Sequence, residues 1–329
     1  MKDVAELAGV SVSTVSRVLS GRIPVEKTTA ERVQDAIASL NFRPNLLASG
    51  LRSKSGKLIG LVIPGLYEPF ASIVGHLERY ATRRGFSLLV GNSRALPHVE
   101  ERFVNNLIQR HVDGIIFTPV SGETSAMGDL LDSDIPVVWF DRVCEDRRVL
   151  SVKLDNEKAG TMAARHFLEM GHRELAVVTG PEPVELVHSR LRGFVGEARS
   201  QGVEVRHTRI MEGDFSFESG VRLAQQFLSM PELPTAVWAQ NDLMAIGLLK
   251  GFSAAGVDVP GSVSIIGMDG IPLTMMVHPE LTTIRQPIQE MCKTVVSKVL
   301  EYRRYLENNQ LNTVFEPELV VRGSVRSLI

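Results

Sequence analysis

From residue 58 onward, short apolar runs rich in Val, Ile and Leu alternate with longer amphipathic stretches, and this alternation limits the possible folds more than any other feature of the chain. The runs fall at 58–64, 86–92, 112–119, 135–141, 175–180, 235–241 and 263–269, with helical periodicity at 70–84, 99–110, 159–170 and 216–227 between them. Near-continuous apolar runs belong to strands covered on both faces, and helices between successive strands make the crossovers of a parallel sheet. With the shorter runs there are about a dozen strands, more than one comfortable sheet. The expectation is therefore an α/β core of two doubly wound parallel-sheet subdomains, with a ligand cleft outside the carboxyl ends of the strands.

The first 57 residues follow a different rule. The formal net charge of −2 hides an asymmetry: residues 1–57 hold nine basic and five acidic residues, hence +4, whereas the rest hold 27 basic and 33 acidic, hence −6. A small basic segment on an acidic body fits a polyanion-binding module fused to something else. The periodicity predicts three short helices. The first, over 2–8, groups Val4, Ala5, Leu7 and Ala8; Gly9 breaks it, and Ser11 is placed to cap a second from Val12 to about Ser20. In that second helix Val15, Val18 and Leu19 are expected to face inward and Val12, Ser13, Ser16 and Arg17 outward. A third is expected to open at Thr28 with the capping box Thr28-Thr29-Ala30-Glu31 and to bury Val33, Ala36, Ile37 and Leu40. Two helices joined through Gly-Val-Ser make a helix-turn-helix. An outer face of small polar groups with one guanidinium suits duplex DNA: hydroxyls hold phosphates and the fork reads guanine. The pattern also suits a plain three-helix module that binds protein.

Residues 2–19, Lys-Asp-Val-Ala-Glu-Leu-Ala-Gly-Val-Ser-Val-Ser-Thr-Val-Ser-Arg-Val-Leu, resemble the DNA-binding opening of the lactose-repressor (LacI/GalR) family of bacterial transcription regulators. The segments Leu40-Asn41-Phe42-Arg43-Pro44-Asn45 and Ala48-Ser49-Gly50-Leu51 continue the likeness. The resemblance implies that Val12, Ser13 and Arg17 read bases, with Val12 and Ser13 setting which operator is recognised, and that Ser11, Thr14 and Ser16 contact phosphates. It further implies a hinge helix capped by Asn45, containing Ala48 and Leu51, that orders on DNA beside the same helix of a second subunit and wedges Leu51 into a minor-groove step. Ala30, where family members often carry Arg, and Ser49 and Gly50 in the hinge depart from the pattern. The expected boundaries are 1–43 for the helix-turn-helix head, 44–57 for the hinge and 58–329 for an effector-binding and dimerisation core. Within that core an N-subdomain is expected at about 58–156 and 286–315, and a C-subdomain at about 157–285 and 316–329.

The core carries none of the common catalytic signatures. No Gly-x-Gly-x-x-Gly follows the first strand, whose exit is Ile63-Pro64-Gly65-Leu66-Tyr67, and no phosphate loop, Gly-x-Ser-x-Gly elbow or His-Glu-x-x-His pair occurs. Cys144 and Cys292 stand 148 positions apart, which offers neither a disulfide framework nor a zinc spacing. No catalytic residue, metal or cofactor is expected, and His172 reads as a structural residue ahead of a strand.

Polar residues do close the strands: Asp141, Asn241-Asp242 and Asp269. Any one could cap a helix, Asp242 foremost; each could also share hydrogen bonds with ligand hydroxyls. The family resemblance implies effector contacts at Phe70, Asp141, Arg190, Phe215, Asn241 and Asp269, with Phe215 stacking on a sugar face or a base. Pro69 and Gly270 depart from the family's pocket. Arg142 beside Arg190 points to an anionic effector such as a sugar acid or phosphate.

The expected protein is a transcriptional regulator, a repressor, that binds a pseudo-palindromic double-stranded DNA operator as a homodimer under control of a carbohydrate-like effector. It is expected in the cytoplasm, with no signal peptide and no membrane association. Two other readings stay open: a solute-binding receptor without DNA function, which would begin with an export signal, and a nucleotide-dependent α/β enzyme, which would need a phosphate loop.

Overall fold

The computed structural model describes the whole chain except residues 21–23, 43–55, 120–125, 143, 145 and 183. It forms two compact units, Met1–Gly56 and Lys57–Ile329. In the first, helices α1 (Lys2–Ala8), α2 (Val12–Ser20) and α3 (Lys27–Ser39) surround a small core of Val4, Ala5, Ala8, Val15, Val33 and Ala36. Gly9 ends α1 in the left-handed conformation (φ 63°), and the N–H groups of Gly9 and Val10 return to the carbonyls of Glu6 and Ala5. This is the turn that separates the two helices of a helix-turn-helix.

Five details differ from the sequence reading. Leu7 is 56% exposed, because it lies about 100° round α1 from the stripe that Val4, Ala5 and Ala8 define. Val12 is half-buried, with one side packed against the head core, since it stands only about 60° from Val15 on the same stripe. Leu19, on the last turn of α2, and Leu40, one residue past the end of α3, are exposed. The capping box does not form: extended backbone runs through Glu26 (ψ 135°), so α3 begins at Lys27 without a side-chain cap, and Thr28 is already helical.

The second unit holds two sheets, each of six strands among the described residues. Strands β1 (Leu58–Ile63), β2 (Ser87–Asn92), β3 (Gly114–Phe117), β4 (Val137–Phe140), β5 (Leu150–Leu154) and, from far along the chain, β11 (Asn312–Phe315) form the first, in the order β11-β5-β4-β3-β1-β2 with every pair parallel. Helices α4 (Phe70–Arg83), α5 (Pro97–Gln109) and α6 (Ala126–Asp132) make its crossovers, and α11 (Ile288–Leu300), followed by α12 (Tyr302–Glu307), packs beside α4. The second sheet uses β6 (Leu175–Thr179), β7 (Ile210–Glu212), β8 (Ala236–Ala239), β9 (Ser264–Asp269), β10 (Thr282–Arg285) and β12 (Glu318–Val320), in the order β12-β10-β9-β8-β6-β7. Helices α7 (Asn156–Glu169), α8 (Glu185–Ser200), α9 (Phe217–Leu228) and α10 (Asp242–Ala254) flank it. Its edge strand β12 runs antiparallel to β10, the one departure among the described strands from the parallel sheets expected.

In both sheets the order reverses at the first strand, between β1 and β3 and between β6 and β8, and such switch points open a crevice at the carboxyl ends. Two glycine crossings draw the second lobe together. A Cβ on Gly160 of α7 would lie 2.0 Å from the Arg190 carbonyl oxygen, and one on Gly193 of α8 would lie 1.9 Å from that of Glu157, so these helices meet backbone to backbone. Gly220 of α9 and Gly247 of α10 repeat the arrangement. His172 is buried, with its ring nitrogens against Thr235 Oγ1 (3.0 Å) and the Arg326 carbonyl (3.1 Å), a structural role as the sequence reading had it.

Candidate functional site: a recognition helix and an interlobe cleft

In the head, Ser11 precedes α2 and its Oγ accepts the Thr14 N–H at 3.2 Å. The same oxygen lies 2.7 Å from Ser13 Oγ and 2.9 Å from Thr14 Oγ1, so three hydroxyls crowd the positive end of the helix. Ser13 and Arg17, one turn apart, are exposed, whereas Thr14, Ser16 and Val12 are half-buried. The fold thus brings all six sequence-predicted residues, from Ser11 to Arg17, onto one short helix and its leading residue. Asn45, Ala48 and Leu51 lie outside the described residues.

In the second unit the predicted effector residues stand at strand and helix ends. Phe70 opens α4, with its ring edge-on to Tyr67 at 5.8 Å. Asp141 follows β4, Phe215 lies between β7 and α9, Asn241 caps α10 and Asp269 ends β9. Asp141 (φ 60°), Phe215 (φ 65°) and Asp269 (φ 114°) all hold positive φ, a costly conformation for residues with side chains and one that clusters at functional sites. The Phe215 ring lies over Gly180, where a Cβ would come within 2.0 Å of it.

Arg190 lies on α8, whose Phe194 stacks on Trp238 of β8 at 5.2 Å, and it is 3% exposed. Its Nε donates to Asn156 Oδ1 at 2.8 Å and one Nη to the Gln240 carbonyl at 2.7 Å. Burial pulls the guanidinium pKa down, and the carboxylates of Asp269 and Asp141 oppose that pull. Asp269 has the converse problem: burial pushes its pKa up to about 7, against Arg190 and a 2.7 Å hydrogen bond from Gln286 Nε2. Asp141 and Glu68, from the first lobe, push it further up. The charges of the two lobes therefore act on one another across the cleft.

Two expectations change. Asp242 is not the cap; Asn241 is, its Oδ1 accepting the Met244 N–H at 2.9 Å while its Nδ2 donates to the Phe215 carbonyl at 2.8 Å. Asp242 turns inward instead: it accepts from the Gly270 and Ile271 N–H groups (2.7 and 2.9 Å) and the Thr283 hydroxyl (2.6 Å). Arg142 is not an unopposed cation either. Its Nη1 donates to the Asp141 carbonyl at 2.8 Å and lies 3.3 Å from that residue's carboxylate.

The sequence reading missed Asn156, Gln240 and Gln286, the residues that hold Arg190 and Asp269. A polar amide ending or following an apolar run was the available signal, and it looks the same as an ordinary helix cap. Among the described residues no group of three or more His, Cys, Asp or Glu could hold a metal, and no helix is long and apolar enough to cross a membrane.

A helix-turn-helix head joined to a two-lobed receptor core defines a regulator that reads DNA and carries a small-molecule cleft. Residues 1–45 match the bacterial regulatory proteins of the lacI family, and residues 164–325 match the periplasmic binding protein-like domain. The transcriptional repressor PurR of Photobacterium profundum is 34% identical over all of this chain and 99% of its own. The Lac repressor dimer bound to operator and the anti-inducer ONPF superposes with a TM-score of 0.87 at 28% identity, covering 99% of this chain and 98% of that one. A LacI-family regulator from Enterococcus faecium with bound ribose has a TM-score of 0.75 at 27% identity, covering 83% and 100%. The chain belongs to the lacI family of bacterial regulatory proteins.

Proposed function

We propose that this protein is a transcriptional repressor that binds its operator as a homodimer and changes its operator affinity when a sugar or sugar derivative enters the interlobe cleft. The observation that carries the reading is buried Arg190, held among Asp269, Asp141 and the amides of the second lobe at the strand ends where the two lobes face each other. Phe70, Asp141, Arg190, Phe215, Asn241 and Asp269 contact the effector. Arg190 and the acids share hydrogen bonds with its hydroxyls, and Phe215 covers an apolar face. Asn241 offers least, because its oxygen and one N–H are already engaged.

The pairing of Arg142 with Asp141 removes one of the two positive charges that first suggested a sugar acid or phosphate, which favours a neutral polyhydroxylated effector. The ribose held by the Enterococcus faecium relative is of that class.

In the head, Ser11, Thr14 and Ser16 hold phosphates, Arg17 forks onto a guanine, and Val12 and Ser13 select the operator. Asn45, Ala48 and Leu51 form the hinge contact; Leu51→Ala is expected to weaken operator binding in a gel-shift titration while effector binding is intact. The protein works in the cytoplasm, without a cofactor, and catalyses no reaction.

A thermal-shift screen of sugars, sugar acids, sugar phosphates and purines tests the effector assignment. A neutral sugar that raises the melting temperature of the wild type and not of Arg190→Ala supports it. A hit that Arg190→Ala leaves unchanged contradicts it.

A further inference from the structure

Three segments cross between the lobes: Leu154 to Asn156, Arg285 to Ile288, and Phe315 to Glu318. They are cross-linked. The Asp155 N–H donates to the Phe315 carbonyl at 2.8 Å, Lys158 pairs with Glu316, and Arg285 pairs with Glu318 at 2.7 Å. The first two crossings each carry a buried side-chain amide bonded to one of the two buried charges of the cleft. Asn156, 8% exposed, accepts from Arg190 Nε and donates through Nδ2 to the Leu154 carbonyl at 3.3 Å. Gln286, also 8% exposed, donates through Nε2 to Asp269 Oδ1 at 2.7 Å and through its main-chain N–H to the Asp269 carbonyl at 3.1 Å.

We propose that Asn156 and Gln286 are positioning residues that fasten Arg190 and Asp269 to two of the three lobe crossings, so that occupancy of the cleft alters the crossings and, through them, the closure of the lobes. This rests on the effector roles given above to Arg190 and Asp269. Arg190 has two of its donors fixed, one by Asn156 and one by the Gln240 carbonyl, so a shift of its guanidinium toward a ligand must either carry Asn156 along or abandon a buried charge-assisted hydrogen bond. The second lobe cannot absorb the shift internally, because the Gly160–Gly193 crossing already holds α7 and α8 at backbone contact.

Asn156 is the first residue of α7 and its amide reaches back to the last residue of β5, so the displacement arrives at the crossing itself. Gln286 stands in the same relation to Asp269 and to the turn into α11. An uncharged amide suits this work: it does not titrate, so the link holds whichever protonation state Asp269 adopts.

The test uses the full chain, a duplex recovered by in-vitro selection against the wild type, and D-ribose, cellobiose and adenosine as probes. Each variant is measured for thermal shift by the probe and for duplex affinity with and without it. Asn156→Leu and Gln286→Met are expected to keep probe binding while the ratio of duplex affinities with and without probe falls toward one, from about tenfold or more in the wild type. Asn156→Asp, which keeps an acceptor for Arg190 Nε but not the donor to the Leu154 carbonyl, is expected to restore the ratio in part. A merely structural role would lower the melting temperature and leave the ratio intact, and that result would overturn the proposal. If Asn156→Leu fails to fold, Gln286→Met on the other crossing decides between the same two outcomes. Unchanged probe binding by Arg190→Ala removes the effector reading on which the proposal stands, and a wild type shifted by none of the probes removes both.

Discussion

Arg190 and Asp269 meet at the cleft with opposite difficulties, one a cation taken out of water and the other a carboxyl that burial keeps protonated to about pH 7. For Asp269 the sign of the linkage follows. Its folded pKa lies above the ordinary 3.8, so between about pH 4 and 7 the folded protein holds a proton that the unfolded chain has released, and stability falls as pH rises through that window. Asp269→Asn removes the ionisation and keeps an acceptor for Gln286. Its melting temperature relative to wild type is therefore expected to rise by a few degrees between pH 5 and pH 8, with effector affinity lowered at both. A difference that stays constant with pH would contradict this. Arg190→Lys keeps the charge but not the planar fork that can share paired hydrogen bonds with ligand oxygens, so calorimetry is expected to show effector affinity at least about tenfold weaker. The strand-end acids were legible because a charged residue closing an apolar run stands out. Asn156 and Gln240 were not, because they lie 34 and 50 positions from the arginine they serve and carry the marks of ordinary caps.

At the scale of elements, the alternation of apolar runs with amphipathic helices was legible, since strands such as β3, β4 and β8 are buried at every position. Strand β12 was not: one exposed and two half-buried residues give no period to detect, and its antiparallel direction is set by its return to the edge of β10. Within helices the misplacements fell at the ends, as with Leu40, because periodicity says nothing about where the chain leaves the helix. The helix crossings make a sharper prediction. Gly160→Ala puts a methyl group into the Arg190 carbonyl and is expected to destabilise the core by about 1–3 kcal/mol in chemical denaturation. Gly196→Ala on α8, with nothing within 4 Å, is expected to be neutral or stabilising by up to about 1 kcal/mol. Equal effects from the two would mean that the close approach carries no weight. In the head, Arg17→Ala is expected to cost about 1–3 kcal/mol of operator affinity and to relax discrimination at one base pair, read from binding to single-base operator variants.

At the scale of the molecule, the basic head and the acidic receptor core divide the work between a polyanion and a small ligand. One head holds few base contacts, so a dimer that presents two heads to half-sites about one helical turn apart is what gives an operator its affinity, and phosphate contacts make that affinity fall with salt. An effector that changes operator affinity does so through a coupling free energy that an equilibrium measurement can read. The most direct test is a fluorescence-anisotropy titration of a selected operator duplex with the full-length dimer, with and without a saturating small molecule identified by thermal shift, run in parallel on Arg190→Ala. The account predicts a change in operator affinity of about tenfold or more in the wild type that disappears in Arg190→Ala while its affinity without the small molecule is retained. Operator affinity indifferent to every cleft-binding molecule, or a response that survives the loss of Arg190, would contradict it.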